Sequence, residues 1–190
     1  MHRAWSEPGS LVLVLSPSLR QSGEFLRKAE EFVGRLGIKV KSDGDNRLSI
    51  AFPNRSRIVG LPANEATTRG FSKVSLMIVE EAAWVPDRVY WATRPALAVG
   101  DGDLWLVSTP NGKRGFFYEE WEHGSEEWQR ISVTAQDCPR IKASFLVEER
   151  RKDEHRFRRE YLCEFGEVEG AVFSRESIEA AFEDFEPVEI

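Results

Sequence analysis

Two long apolar runs dominate the hydrophobic pattern of this chain. Leu11–Leu15 contains no polar residue, and Val74–Val79 is interrupted only by Ser75. A third apolar run, Leu104–Val107, follows the second along the chain. Strands without alternating polar positions are typical of parallel sheets that are covered on both faces. The pattern therefore predicts three interior strands of an α/β protein.

Apolar residues recur at helical spacing after the first of these strands. Ser18 can cap a helix that begins at Leu19, and Gly37 is suited to end it. Three further segments have an apolar face at helical spacing. They are Asp87–Leu97, which Pro95 should bend or end, Lys113–His123 and Lys142–Phe165. The last is long enough to be broken once, and its predicted buried side consists of Phe145, Leu146, Phe157, Tyr161 and Leu162. Strands and helices therefore alternate, as in an open α/β sheet.

Shorter strands are expected between and after these units. They are Leu48–Phe52, Arg57–Gly60 and Ile131–Thr134. The Asp/Gly/Asn cluster Asp43–Asn46 is typical of a hairpin turn.

Composition narrows the class of protein. A chain of 190 residues suits one hydrophobic core, and a net charge of -6 argues against a uniformly basic protein that coats nucleic acid. No apolar run approaches the ~18 residues of a membrane span, and Met1–Ser10 lacks the order of a secretory signal. Cys138 and Cys163 stand apart, which favours reduced thiols. We therefore expect a cytoplasmic protein without membrane contact.

Adjacent carboxylates follow the second predicted strand. Glu80 and Glu81 stand where a buried strand meets its loop, and ligands of open α/β sheets bind at that edge. One carboxylate there can reach Mg²⁺ through water, while its neighbour can polarise a water that attacks a phosphate. The alternative is a solvated acid pair at a strand end. The buried strand before it and the second strand after it favour the site.

Small hydroxyl residues follow the third predicted strand. Ser108, Thr109 and Pro110 can sense a phosphate or the neighbouring acids, although Pro-Asn-Gly is equally suited to an ordinary strand-ending turn. Arg69 lies in the loop before the acidic strand, and arginine clamps developing phosphate charge. A plain surface arginine remains the alternative. The chain contains no G-x-x-x-x-G-K-S/T phosphate loop.

An ordered set of motifs resembles the large terminase subunit of tailed bacteriophages and prophages. The matching pieces, in order, are Pro8–Ser22, Leu61–Pro62, Thr68–Gly70, Val79–Ala83, Arg94–Ala98, Ser108–Tyr118, Cys138–Ile141, Glu148–Arg150 and Phe157–Tyr161. Each piece alone is unspecific, whereas the ordered set, spread over roughly Pro8 to Phe173, is highly specific. The resemblance is to the later part of the packaging ATPase domain.

The resemblance implies a P-loop NTPase of the ASCE, RecA-like type. Its three-layer fold would have a mostly parallel central sheet that is incomplete at the N-terminus. Glu80 matches the Walker B metal residue, Glu81 the catalytic glutamate, and Ser108-Thr109-Pro110 the ATP-contacting motif that couples hydrolysis to movement. Arg69 falls where the family carries a candidate arginine finger. ATP and Mg²⁺ would be the cofactors.

Departures from the family pattern limit what we expect of this chain. Its Walker A segment would lie upstream of Met1, its nuclease domain would begin near Val172 or beyond, and Glu80 replaces the usual Asp. We therefore expect a partial ATPase domain over residues 1–165, followed by a linker over residues 166–190. Such a chain would bind ATP poorly and hydrolyse it negligibly alone.

The functional expectation is a fragment of a DNA-packaging terminase, which drives double-stranded DNA into procapsids. Its implied partners are DNA, the portal protein, the small terminase subunit and further copies in a ring. The alternative is a non-enzymatic prophage remnant or interaction module that retains the fold. A helicase-type ATPase would need a second RecA-like domain, for which 190 residues leave no room.

Overall fold

The computed structural model describes residues 1–41, 48–64, 70–167 and 181. Its helices are α1 (His2–Ser6), α2 (Leu19–Arg35), α3 (Asp87–Thr93), α4 (Pro95–Ala98), α5 (Gly115–Glu122), α6 (Ala143–Lys152) and α7 (Glu154–Leu162). Its strands are β1 (Leu11–Ser16), β2 (Ser49–Ala51), β3 (Arg57–Pro62), β4 (Val74–Glu80) and β5 (Asp103–Val107). Short 3-10 turns occupy Ala82–Trp84 and Ala135–Asp137.

The five strands form one sheet in the order β2-β3-β1-β4-β5. β1 pairs parallel with both β3 and β4, and β4 pairs parallel with β5. Of these five strands, the short β2 alone runs antiparallel, beside β3. The predicted α/β class with a mostly parallel sheet is therefore confirmed, and the acidic strand β4 lies between β1 and the hydroxyl-bearing strand β5.

Helix α2 covers one face of this sheet. Ser18 caps it by accepting a hydrogen bond from the Gln21 backbone N–H, and Leu26 and Val33 are buried in the same core as Val12 of β1. Gly60 of β3 permits this approach, because a Cβ there would stand 3.0 Å from the Leu26 side chain. Helix and sheet are thus locked together by close packing.

The alternating residues of β1 and β4 belong to the other face and are equally well buried. Leu13, Leu15, Met77 and Val79 each have no exposed surface. Residues predicted as one helix from Asp87 to Leu97 form α3 and α4, which meet at Pro95, as expected of a proline that removes a backbone donor. Helix α4 packs against β4.

The described residues fall into two compact units. The first comprises Met1–Thr109 with Gly115–Phe117, and it contains the whole sheet. The second comprises Pro110–Arg114 and the residues from Tyr118 onward. In the second unit the predicted long helix breaks once at Asp153, whose carboxylate accepts a hydrogen bond from the Arg156 backbone N–H and so caps α7.

Exposed ion pairs line α6 and α7. Arg150 bonds to Glu154, Lys152 contacts both Glu148 and Glu149, and Arg158 bonds to Glu164. These contacts raise the pKa of the Lys152 ammonium and lower the pKa of the Glu149 carboxyl. Solvent-exposed pairs contribute little stability each, so this unit depends on aromatic contacts such as Phe157 against Tyr161.

Two expectations about the second unit are wrong. Ile131–Thr134 is not a strand: its residues adopt no regular structure, and Ile131 and Val133 are largely exposed. A strand forms only when its backbone groups pair with a neighbouring strand. No described strand pairs with these four residues. Phe145, expected on the buried side of the long helix, is exposed, and Phe157 is the buried member.

Several predicted features lie outside the described residues. They are the hairpin turn Asp43–Asn46, Arg69, and nearly all of the linker predicted over residues 166–190. The division into a partial ATPase domain and a linker therefore stays a prediction. In the described ranges, no helix combines the length and apolar character needed to cross a bilayer.

Candidate functional site

Glu80 is the last residue of β4 and lies at the carboxyl edge of the sheet. Parallel pairing brings the end of β1 beside it, because Leu15 of β1 is registered with Val79. Ser16, which is completely buried, donates a hydrogen bond of 2.9 Å from its hydroxyl to Glu80 Oε2. One oxygen of the half-buried carboxylate is thus fixed by a neighbouring strand.

Glu81 turns the chain sharply away from β4. Its backbone is left-handed, with φ 51° and ψ 47°, and its carbonyl accepts the Trp84 backbone N–H at 2.8 Å. A non-glycine residue in this conformation stores strain of order 1 kcal/mol, which recurs at functional sites. The turn directs the Glu81 side chain toward the end of β5, as its contact with Ser108 shows.

Ser108 joins the ends of β4 and β5. Its hydroxyl oxygen accepts a hydrogen bond of 3.3 Å from the Ala83 backbone N–H. The hydroxyl lies 3.3 Å from Glu81 Oε2 and 2.7 Å from the Thr109 carbonyl oxygen, and it can donate to either. Because a hydroxyl has one proton, the two acceptors compete for it. Ser108 therefore links the position of the acid to the backbone that leaves β5.

The structure brings some predicted site residues together and not others. Glu80, Glu81 and Ser108 meet at the carboxyl edge of β4 and β5. Thr109 follows them as a half-buried residue, and Pro110 is buried at the start of the second unit. Arg69 lies outside the described residues, so its predicted role stays a prediction.

An open cleft of about 740 Å³ lies at the same edge of the sheet, but beside β1 and β3 rather than β4 and β5. Its lining residues follow the carboxyl ends of those two strands or open α3, and they are Pro17, Ser18, Leu19, Pro62, Ala63, Asn64 and Arg88. The acids are not among them. Because the chemistry of a site depends on its reactive groups rather than its volume, we place the candidate site at Glu80 and Glu81 and regard the cleft as its flank.

Sequence reasoning missed Ser16 and Arg88. The sequence pattern places Ser16 only at the end of a strand, yet it is the buried partner of Glu80. The sequence carries only part of the signal: it places a small hydroxyl at the carboxyl end of a strand, but the pairing of β1 with β4, which the structure reveals, decides what that hydroxyl contacts. Arg88, the charged residue of the cleft, carried no such signal because helix-surface arginines are common.

The donor set at this edge consists of oxygen atoms. The described residues contain no cluster of three or more His, Cys, Asp or Glu side chains able to hold a metal ion by themselves. One fixed carboxylate and nearby hydroxyls fit Mg²⁺, which keeps several waters and binds through one or two carboxylates together with substrate phosphates. They do not suit a soft metal that prefers thiolate or imidazole ligands.

Comparison with protein families supplies the decisive observation. Residues 2–180 match the family described as terminase large subunit, T4likevirus-type, N-terminal. This chain belongs to that family. The resemblance to terminase large subunits inferred from the ordered motifs is thereby confirmed. No curated protein matches the sequence.

Solved structures of terminases resemble the fold. A mutant of the Thermus Phage P74-26 large terminase ATPase domain matches with a TM-score of 0.69 and 23% identity, over 87% of this chain and 80% of that one. The unmutated domain matches with a TM-score of 0.67 and 22% identity, over the same shares. At these identities the likeness shows the fold alone, and that fold is the expected P-loop NTPase one.

A longer terminase also matches, over a smaller share of its length. The large terminase from a thermophilic bacteriophage, solved in complex with ADP, has a TM-score of 0.71 and 14% identity. The match covers 85% of this chain but 42% of the longer one. The same phage protein was also solved in complex with ATP-gamma-S, with a TM-score of 0.69. This chain thus corresponds to less than half of that longer terminase.

Proposed function

We propose that this chain contributes the acidic and coupling side of the ATP site in a DNA-packaging terminase motor. The observation that carries the proposal is the link from Ser108 to Glu81 across the ends of two neighbouring parallel strands. Ligands of open α/β sheets bind at the carboxyl ends of the strands, and acids and hydroxyls at that edge suit a triphosphate and its metal ion. Membership of the terminase family supports the same assignment.

Glu80 is proposed to hold Mg²⁺ through a bridging water. Bound Mg²⁺ would supply charge neutralisation at the phosphates. The Ser16 hydroxyl occupies Oε2 and so orients the carboxylate. A water-bridged arrangement tolerates the extra methylene of Glu relative to the Asp that the family usually carries, because the water takes up the displacement.

Glu81 is proposed to orient and polarise the attacking water. The Ser108 hydroxyl, when it donates to Glu81 Oε2, stabilises the ionised carboxylate in that position. When the same proton turns to the Thr109 carbonyl instead, the bond to Glu81 is lost. A change in the position or charge of Glu81 would therefore change the hydrogen bond that Ser108 makes to the backbone after β5. A segment that couples hydrolysis to movement is expected to respond in this way.

The remaining roles follow from family membership. We propose that Arg69 acts on developing phosphate charge, that ATP and Mg²⁺ are the cofactors, and that the motor works as a homo-oligomeric ring. Its proposed partners are double-stranded DNA, the portal protein and the small terminase subunit. Because the 190 residues contain no G-x-x-x-x-G-K-S/T loop, we expect negligible hydrolysis unless another polypeptide segment supplies that cradle.

An ATPase assay tests the proposal. The chain is assayed alone and together with a terminase segment that contains the phosphate loop, and turnover is expected only in the mixture. Glu81→Gln should lower that turnover at least ~100-fold with little change in nucleotide affinity, since one amide replaces the base. Glu122→Gln, on the far part of α5, is the control. Turnover by the chain alone, or an active Glu81→Gln mixture, contradicts the proposal.

A second candidate is an interaction module without catalysis. The observation that favours it is the pair of exposed apolar side chains on β5, since Trp105 is 57% exposed and Val107 is 54% exposed. Large exposed apolar patches mark binding surfaces. If the chain and the terminase segment bind each other but their mixture does not hydrolyse ATP, this candidate is supported.

A further inference from the structure

Helix α5 begins without a cap from its own sequence. Arg114 precedes its first residue, and a guanidinium has no acceptor atom for backbone N–H groups. Asp87, the first residue of α3, supplies the acceptor instead, because its Oδ1 accepts a 3.0 Å hydrogen bond from the Phe116 backbone N–H. The first N–H groups of a helix have no partner inside the helix, and a carboxylate suits the positive end of the helix dipole. Asp87 therefore caps an N–H group that lies 29 residues away in the chain.

Gly115 makes room for this carboxylate. Its backbone has a φ of +74°, and a Cβ on it would stand 3.1 Å from Asp87 Oδ1. Glycine is the residue that adopts positive φ without strain. An alanine at this position would therefore both strain the backbone and crowd the carboxylate. Asp87, Gly115 and Phe116 thus form one fitted contact, which we call the Asp87 clasp.

An aromatic contact supports the clasp from the same face of α3. Tyr90 follows Asp87 by three residues, and residues at this spacing lie on the same side of a helix. The Tyr90 ring is stacked on the Phe116 ring with centroids 4.1 Å apart, and both of these residues are buried. Helix α3 therefore holds the start of α5 with a polar and an apolar side chain.

The segment that carries the clasp, residues 81–90, begins with Glu81. It is held against the core, because Val85 and Val89 are buried. Close-packed parts of a protein transmit a displacement rather than absorb it. A movement of the turn at Glu81 is therefore expected to reach Asp87 at the start of α3.

The same segment contacts both ends of the chain between β5 and α5. The Ala83 backbone N–H donates to the Ser108 hydroxyl at 3.3 Å before that stretch, and the clasp holds the Phe116 N–H after it. Both contacts lie within the first unit. Residues 109–114, which we call the coupling loop, join the two contacts. A loop with both ends fixed has fewer conformations than one with a free end, so the two contacts together restrict the Thr109 carbonyl to which Ser108 can donate.

We propose that Asp87 is a positioning residue of the ATP site, which acts by fixing the far end of the coupling loop through Phe116. With that end fixed, the loop holds Ser108 against the Ala83 N–H and beside Glu81. Without Asp87, the loop gains freedom at its far end and the contact at Ser108 loosens. The effect on turnover rests on the proposed function, whereas the effect on the contact between Ser108 and Ala83 does not.

Backbone hydrogen exchange, resolved by NMR in the chain alone, tests the positioning without nucleotide. Asp87→Ala should speed exchange of the Phe116 amide at least tenfold, because its acceptor is removed. It should also speed exchange of the Ala83 amide at least threefold, since a loosened Ser108 protects it less. Asp87→Asn keeps an acceptor oxygen and should leave both amides within twofold of the parent chain. Gly115→Ala should act like Asp87→Ala, because the added Cβ displaces the carboxylate.

Turnover tests the consequence for catalysis. In the mixture with the segment that contains the phosphate loop, Asp87→Ala should lower kcat at least fivefold and leave the KM for ATP within twofold, because the clasp positions the site rather than binds the nucleotide. Asp87→Asn should keep kcat within twofold of the parent. The matched control is Ser56→Ala, which removes a 2.8 Å hydrogen bond to the Glu7 carbonyl at the amino ends of the strands. It should change kcat less than twofold.

Four results would overturn the proposal. They are unchanged exchange at Phe116 in Asp87→Ala, faster exchange at Phe116 without faster exchange at Ala83, unchanged kcat in Asp87→Ala when the parent mixture is active, and an equal loss of kcat in Ser56→Ala. The second of these would make the clasp an ordinary helix cap. A parent mixture without turnover contradicts the proposed function instead, and the exchange of the Ala83 amide then decides whether Asp87 positions this segment.

Discussion

Ser16 and Glu80 end different strands, yet the Ser16 hydroxyl donates a 2.9 Å hydrogen bond to Glu80 Oε2. The contact exists because β1 and β4 pair in parallel and stop at the same edge. It fixes one oxygen of the Glu80 carboxylate, so the side chain holds a defined position at this edge as long as Ser16 is present.

Replacing Ser16 should destabilise the fold through this bond. Ser16→Ala removes the donor of a partly buried, charge-assisted hydrogen bond, so the free energy of unfolding should fall by about 1–2 kcal/mol in urea denaturation. Glu80→Gln keeps an acceptor oxygen and should cost less. Ser6→Ala, at an exposed helix end, serves as the control. Equal stabilities for Ser16→Ala and the parent chain would show that the bond contributes nothing.

At position 81, glycine should give a more stable protein than alanine, which is the reverse of the order at most positions. The Glu81 φ of 51° is left-handed, a conformation that glycine adopts without strain. Both substitutions remove the carboxylate, but only Glu81→Gly releases the backbone strain. Glu81→Gly should therefore be more stable than Glu81→Ala by about 1 kcal/mol in urea denaturation.

A helix position provides the control for this comparison. At Glu30, an exposed position in the interior of α2, glycine should instead be less stable than alanine by about 0.5–1 kcal/mol. The same order of stabilities at Glu81 and Glu30 would mean that the Glu81 turn is not strained.

The sequence predicted the sheet well because interior parallel strands have an unmistakable composition. β1 and β4 are long apolar runs, and each became a strand with both faces covered. The same rule explains why the sequence did not predict that side chains of β5 are exposed. Leu104–Val107 has the composition of an interior strand, whereas its exposure depends on which elements lie beside it, and the sequence of one strand does not contain that information.

Site geometry was only partly predictable. Adjacency of Glu81 and Ser108 followed from placing both at strand ends, but the Ser16 contact depends on strand order, which the sequence leaves open. The strand predicted at Ile131–Thr134 was wrong for a related reason. Alternating β-branched residues predict a strand, yet a strand also needs a partner, and local composition cannot supply one.

Aromatic stacking between α3 and the start of α5 should contribute strongly to stability. The rings of Tyr90 and Phe116 are stacked with centroids 4.1 Å apart, and the Phe116 backbone N–H donates to Asp87 Oδ1 at 3.0 Å. Both aromatic residues are buried. Phe116→Ala should lower the free energy of unfolding by about 3–5 kcal/mol, measured by urea denaturation.

An exposed phenylalanine provides the comparison for Phe116. Phe32, on α2, is 57% exposed, so Phe32→Ala should cost less than about 1 kcal/mol. A loss at Phe32 that matched the loss at Phe116 would contradict the assignment of the core.

Thr134 should control the acidity of Asp137 in the second unit. The Thr134 hydroxyl and backbone N–H each donate to Asp137 Oδ2 at 2.8 Å, and these bonds hold the pKa of the Asp137 carboxyl below its usual value. A depressed carboxyl pKa contributes stability above the unfolded value of about 3.9, and this stability is lost as pH falls through the folded pKa. Thr134→Val removes the stronger donor, so the pKa of Asp137 should rise in an NMR titration, whereas Thr134→Ser should preserve it. Identical Asp137 pKa values in the two variants would assign the shift to the backbone bond alone.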